Sequence, residues 1–124
     1  MKYASLLLLV TLVLVSSFPV AAERVNPYVG FWEMSADEDG TPKDTMQIRA
    51  DGTYIAQGWT CQTHDVIPYH LFKGDMYATI EIPKKGPISI VFRYLKNGRL
   101  SFTSPRSRNN AYYRRLDKNA CPQR

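Results

Sequence analysis

Cysteine and histidine are scarce in this chain, whose 124 residues contain two of each. Two cysteines exclude a disulfide-dense scaffold and a four-thiolate zinc site. His64 and His70 lie six positions apart, across an expected loop and strand start, and supply too few ligands for a zinc centre. No metal is assigned. Leucine is also rare: after residue 22 only four remain, against seven isoleucines and thirteen aromatic residues. No window carries a sustained helical stripe, so the composition argues against a helical bundle and for strands. Motifs of common chemistries are missing too. There is no Gly-x-Ser-x-Gly elbow, no Gly-rich phosphate cradle and no haem-attaching Cys-x-x-Cys-His run. His64 and Asp65 adjoin in a polar segment and read as a solvated pair. Asp37-Glu38-Asp39-Gly40 lacks the remaining ligand positions of a calcium loop and reads as a turn. No catalytic residue and no cofactor are assigned, and the chain is read as a non-enzyme.

The one long apolar run lies at the start. Lys2 precedes Leu6 to Val15, followed by Ser16, Ser17, Phe18, Pro19 and the small-residue site Val20-Ala21-Ala22. This pattern is that of a secretory signal peptide over residues 1–22, cleaved near Ala22 and too short to span a membrane. A single domain over residues 23–124 is then expected, periplasmic or secreted and not membrane-spanning. In such a compartment Cys61 and Cys121 are expected to pair. Closing a loop of about 60 residues is worth roughly 4 kcal/mol in the chain-entropy model, and it removes any free thiol.

Charge is unevenly distributed. Residues 23–65 carry eight acids and three bases, whereas residues 66–124 carry three acids and twelve bases. Differently charged strips on one sheet account for this, and a basic surface for an anionic partner is the functional alternative. The aromatic residues are expected to point inward, which argues against nucleic acid as a partner.

Turn chemistry organises the rest. Three hairpins are legible: Thr45–Ala50 with Thr53–Cys61 around Asp51-Gly52, Tyr69–Lys73 with Met76–Ile82 around Gly74-Asp75, and Ile88–Leu95 with Arg99–Thr103 around Lys96-Asn97-Gly98. Strands at Gly30–Ser35 and Asn110–Leu116 complete eight, and no segment is long enough for a helical crossover. The expected fold is all-β: an antiparallel up-and-down meander of about eight short strands, curled into a closed or partly closed barrel that buries its edges. Pro42, Pro68, Pro83, Pro87 and Pro105 are expected to flank strands.

Alternation assigns faces. Ile88, Ile90, Phe92 and Tyr94 share one, joined by Leu100 and Phe102 through a three-residue turn with Gly98 left-handed. Tyr69 and Leu71 align with Met76, Ala78 and Ile80. Gly30, Trp32 and Met34 point together, as do Tyr112, Arg114 and Leu116. In the first hairpin a three-residue turn sets Met46 and Ile48 with Tyr54, Ala56 and Gly58, leaving Ile55, Trp59 and Cys61 outside. A shorter turn inverts that choice.

Gly30-Phe31-Trp32, Ile48-Arg49-Ala50-Asp51-Gly52-Thr53-Tyr54 and Tyr112-Tyr113-Arg114-Arg115 together resemble a small bacterial lipocalin-like (calycin-type) domain. The first matches the Gly-x-Trp that opens the lipocalin barrel, and the last places an arginine on the final strand. The resemblance implies a last-strand arginine packed on Trp32. Arg114 is the better match by face, and the opposite strand orientation hands the role to Arg115. A guanidinium over an indole is a cation–π contact that can also cap main-chain carbonyls.

Two functions are expected from different classes. The first is non-catalytic binding of a small, partly apolar or anionic ligand inside the barrel, with Trp32, Tyr54, Tyr69, Tyr94, Tyr112 and Arg114 as lining residues. Arg114 would be the sole charge there. The alternative is a cell-envelope protein–protein module, such as an inhibitor or immunity protein of a wall-degrading enzyme. In it the basic loop from Ser104 to Asn110 presents Arg106 and Arg108 to an acidic cleft.

Overall fold

The computed structural model describes residues 25–122. The expected signal peptide and its cleavage site lie outside the described residues. Eight strands follow one another: β1 (Gly30–Asp37), β2 (Thr45–Ile48), β3 (Thr53–Gly58), β4 (Asp65–Phe72), β5 (Asp75–Ile82), β6 (Gly86–Tyr94), β7 (Leu100–Thr103) and β8 (Asn110–Leu116). Each pairs antiparallel with the next, and β8 pairs with β1, so the meander closes into a barrel. Closure gives every strand a neighbour on both sides and removes the free edges of an open sheet. No helix of the described residues is long and apolar enough to cross a membrane.

Turn geometry sets the faces. Ile48 pairs with Tyr54, and the Arg49 amide donates to the Thr53 carbonyl at 2.9 Å, leaving the three-residue turn Ala50-Asp51-Gly52. Met46, Ile48 and Tyr54 therefore point inward and are buried. The third hairpin uses the same device: Tyr94 pairs with Leu100, and Lys96-Asn97-Gly98 turns with Gly98 at φ +81°. The second hairpin keeps the expected faces but shifts its turn. Leu71 pairs with Met76, and Lys73-Gly74, both at positive φ, form the turn instead of Gly74-Asp75. Two adjacent residues at positive φ match the right-handed twist of the flanking strands.

Two proline expectations are corrected. Pro87 lies inside β6, at its second residue. Pro68 lies inside β4, opposite Thr53 of β3. The reason it is tolerated is visible in the register. The Tyr69 amide bonds to β3's side, at the Gly52 carbonyl, so by alternation position 68 directs its backbone toward β5. Proline has no N–H to give there. The β4–β5 ladder accordingly runs only over Tyr69–Phe72 against Asp75–Ala78, while Asp65–Pro68 pair with β3 alone.

The barrel has two unlike ends. At one, residues 26–29 fold across the opening. Tyr28 is buried, its hydroxyl donating toward the Gly74 and Phe92 carbonyls and accepting from the Tyr94 amide. Trp32 is fully buried beneath it and donates from Nε1 to the Tyr28 carbonyl at 2.8 Å. The arginine over this indole is Arg115, 4.3 Å from the ring centroid, and it donates to the Pro27 and Val29 carbonyls. The expected Arg114 contact is thus corrected. Arg114 faces outward and pairs with Glu33 at 2.6 Å. Tyr113 and Arg115, not Tyr112 and Arg114, share the inward side with Met34 and Trp32. Gly30 belongs to the same device, because a Cβ there would run into the Arg115 guanidinium.

Outside the barrel, residues after β8 form a strap across β2 and β3. Cys121 is bonded to Cys61 as expected. Gln57, buried on the outer face, accepts from Thr45 and donates to Asn119 of the strap. This cover explains how Ile55 points outward yet is buried.

Candidate functional site

The end opposite Trp32 is open. The β1–β2, β5–β6 and β7–β8 connections gather there around an apolar cavity of 590 Å³, within the usual range for small-molecule sites. Its walls are Ile80, Ile82, Ile88, Ile90 and Phe102. Alternation puts these side chains inward on β5, β6 and β7, and Ile80 stands opposite Ile88 in the ladder. The rim is polar: Asp39 and Thr41 on one side, Lys85 and Arg106 on the others.

The rim is tied together across the mouth. Asp39 accepts from the Ser107 hydroxyl and the Asn109 side-chain amide, both at 2.6 Å, and Glu38 accepts from the Asn110 amide at 2.9 Å. The acidic turn therefore clamps the basic β7–β8 loop. Its neighbour Asp37 is held by the Asp39 and Thr41 amides and the Thr41 hydroxyl, which keep its carboxyl below the ordinary range.

The six ligand-lining residues named from sequence fall elsewhere. Trp32 closes the opposite end. Tyr54 is in the core, edge-on to Phe92 at 6.0 Å. Tyr69 is half-buried and donates to the Arg49 carbonyl while accepting from Asn26. Tyr94 is partly exposed against Tyr28. Tyr112 and Arg114 lie on the outer side of β8. None of the six lines the open-end cavity, whereas Phe102 does. Arg106 and Arg108 are exposed, with Arg106 on the rim. His64 borders an outer pocket of 490 Å³ beside the disulfide, and His70 stacks on Tyr77.

Besides Arg115 at the closed end, the inward face carries the charge of Asp44, which the sequence did not single out. It precedes Thr45 in phase with inward-facing Met46 and Ile48, and extending that alternation by one step finds it. Burial pushes its carboxyl above the ordinary range, although a hydrogen bond from Tyr113 pulls the other way. Its Oδ1 is buried with no partner. Burial and the Asp44 charge push the hydroxyls of Tyr54 and Tyr113 upward as well. A carboxyl raised in the folded state favours folding when protonated, so its contribution is greatest below the ordinary carboxylate range. It is lost as pH rises through the raised value. Asp44→Asn is expected to stabilise the protein at pH 7 by about 1–3 kcal/mol, because the amide keeps the shape of the carboxyl without the desolvation cost of its charge. Urea midpoints should show that gain shrinking toward pH 4. A gain independent of pH would exclude titration of Asp44 as its source.

Among the described residues no three His, Cys, Asp or Glu side chains are grouped to hold a metal ion. Compared with family models, curated proteins and solved structures, the chain matches none.

Proposed function

We propose that this protein is a non-catalytic binding protein with a lipocalin-like barrel, exported after signal-peptide cleavage, and that it holds a small, partly apolar ligand at the open end. One observation carries the reading: five apolar side chains from three strands line a cavity at one end, while the other end is sealed by Tyr28, Trp32 and Arg115. A packed core needs no such opening. Mostly apolar walls with a few polar groups at the rim describe a small-molecule site.

The test uses N-phenyl-1-naphthylamine, an uncharged apolar dye that brightens on transfer from water. It is expected to bind the native protein, and Ile88→Trp, which fills the cavity from its wall, should weaken binding at least tenfold without lowering the urea midpoint. Normal dye binding by a folded Ile88→Trp protein would refute the cavity.

A second reading has its own support. The Ser104–Asn110 loop is pinned by Asp39 and Glu38, and pre-organised loops bind protein clefts at low entropic cost. An envelope protein partner, such as a wall-degrading enzyme inhibited by this loop, would lose affinity when Arg106 and Arg108 are both neutralised, while dye binding in the cavity persists.

A further inference from the structure

The mouth of the cavity carries an imbalance of charge that its apolar wall does not explain. Three charged side chains border it: Asp39, Lys85 and Arg106. Asp39 has both carboxylate oxygens engaged by Ser107 and Asn109. Lys85 and Arg106 have no such engagement. The ion pairs among the described residues join Arg49 to Asp51, Arg93 to Asp75 and Arg114 to Glu33, and none involves either rim cation.

The two cations come from connections that frame the cavity. Lys85 follows β5 in the tight β5–β6 turn, where its amide bonds to the Ile82 carbonyl at 3.0 Å. Arg106 stands in the β7–β8 loop, whose shape is held by Ser104, Asn109 and the clamp on Asp39. Between them the wall is Ile82, Ile88 and Phe102. An apolar slot ending at two unpaired cations is complementary to a molecule with an apolar tail and a negative head.

We propose that the ligand is a free single-chain amphiphile with one anionic head, of the carboxylate class. The head is held at the rim by Lys85 and Arg106, and the tail lies between Ile80, Ile82, Ile88, Ile90 and Phe102. This rests on the cavity reading above and adds the chemistry of its occupant. The head stays at the water boundary, so it keeps part of its hydration while gaining charge-assisted hydrogen bonds from two donors. The tail supplies burial, and the head supplies selection between molecules of equal tail length.

Dodecanoate and dodecanol share a tail and differ in the head, so the pair separates the two contributions. In displacement of N-phenyl-1-naphthylamine at low salt and pH 7.5, dodecanoate is expected to bind about tenfold more tightly than dodecanol or better, the scale of a charge-assisted hydrogen bond. In the Lys85→Gln/Arg106→Gln protein the preference should vanish while dodecanol binds as before. Raising salt should shrink the preference in the native protein, because both cations are solvent-exposed. Equal binding of both compounds by native protein, or a preference that survives the double substitution, would overturn the proposal and leave the cavity standing. Failure of both compounds and of the dye would overturn the cavity itself. Sedimentation with phosphatidylglycerol vesicles that dodecanoate cannot displace would assign the cations to a lipid surface and likewise overturn it.

Discussion

Replacing Trp32 by alanine is expected to lower the unfolding free energy by about 3–5 kcal/mol, the range for deleting a buried aromatic side chain. Three losses coincide. The indole leaves a void at a fully buried position, its Nε1 no longer anchors the Tyr28 carbonyl, and Arg115 loses the surface on which it stacks. The carbonyls of Pro27 and Val29 depend on that guanidinium, so the cap over the closed end loosens as a unit. Small domains are stable by only about 5–15 kcal/mol, and the variant should stand near the limit of folding. Trp59→Ala is the matched control. Trp59 is 69% exposed, and its loss should move the urea midpoint by the equivalent of about 0.5 kcal/mol or less. Comparable midpoints for the two variants would show that Trp32 does not hold the closed end.

Substituting serine for both Cys61 and Cys121 is expected to cost about 4 kcal/mol, mostly by restoring freedom to the unfolded chain. The bridge spans 60 positions, more than half of the described residues. It also fastens the strap that covers Ile55 and supplies Asn119 to Gln57. Part of the loss should therefore appear as local release: a greater accessibility of the outer face of β2 and β3 to proteolysis at temperatures where the barrel remains folded. A double-serine protein that matches the oxidised one in midpoint and in proteolysis would show that the strap holds without its covalent tie.

The sequence made some features plain and others unreadable, for identifiable physical reasons. The meander was legible because Asp-Gly, Gly-Asp and Asn-Gly pairs punctuate alternating apolar runs, and because no stretch could form a crossover helix. The face of β8 was not. Tyr112-Tyr113-Arg114-Arg115 reads the same from either side, and Leu116 draws the inward assignment to the face of Tyr112 and Arg114, away from the face that Ala111 shares with Tyr113. The barrel places the small residue inside and leaves the larger one half-buried outside. The Gly30 contact could have helped, since a missing Cβ one step from a buried tryptophan marks where another group must lie close. Pro68 looked like a loop residue because a strand proline is tolerated only where its missing donor faces no partner. That condition depends on β4 changing neighbours partway, which no local pattern encodes. The cavity was hidden for a similar reason. Its wall is mostly isoleucine, whereas the tyrosines named from sequence lie in the core, toward the closed end or, for Tyr112, on the outer face.

The interrupted β4–β5 ladder gives the barrel an elastic asymmetry. A closed sheet behaves as a hoop, and its circumference is held only where each strand is bonded on both sides. Around Trp32 and Tyr28 the gap between β3 and the Tyr69–Phe72 half of β4 is bridged by Tyr69, whose hydroxyl donates to the Arg49 carbonyl and whose amide donates to the Gly52 carbonyl, and the end is bolted by Arg115. Around the mouth the hoop is cut, because Asp65–Pro68 lack a partner on the side of β5. Strand separation costs least where few backbone bonds must break. The perimeter of the open end is therefore held least between β4 and the Thr79–Ile82 half of β5, beside Ile80 and Ile82 of the cavity wall. The least-held span of the perimeter thus adjoins the cavity and not the closed end, and Pro68 marks where it begins.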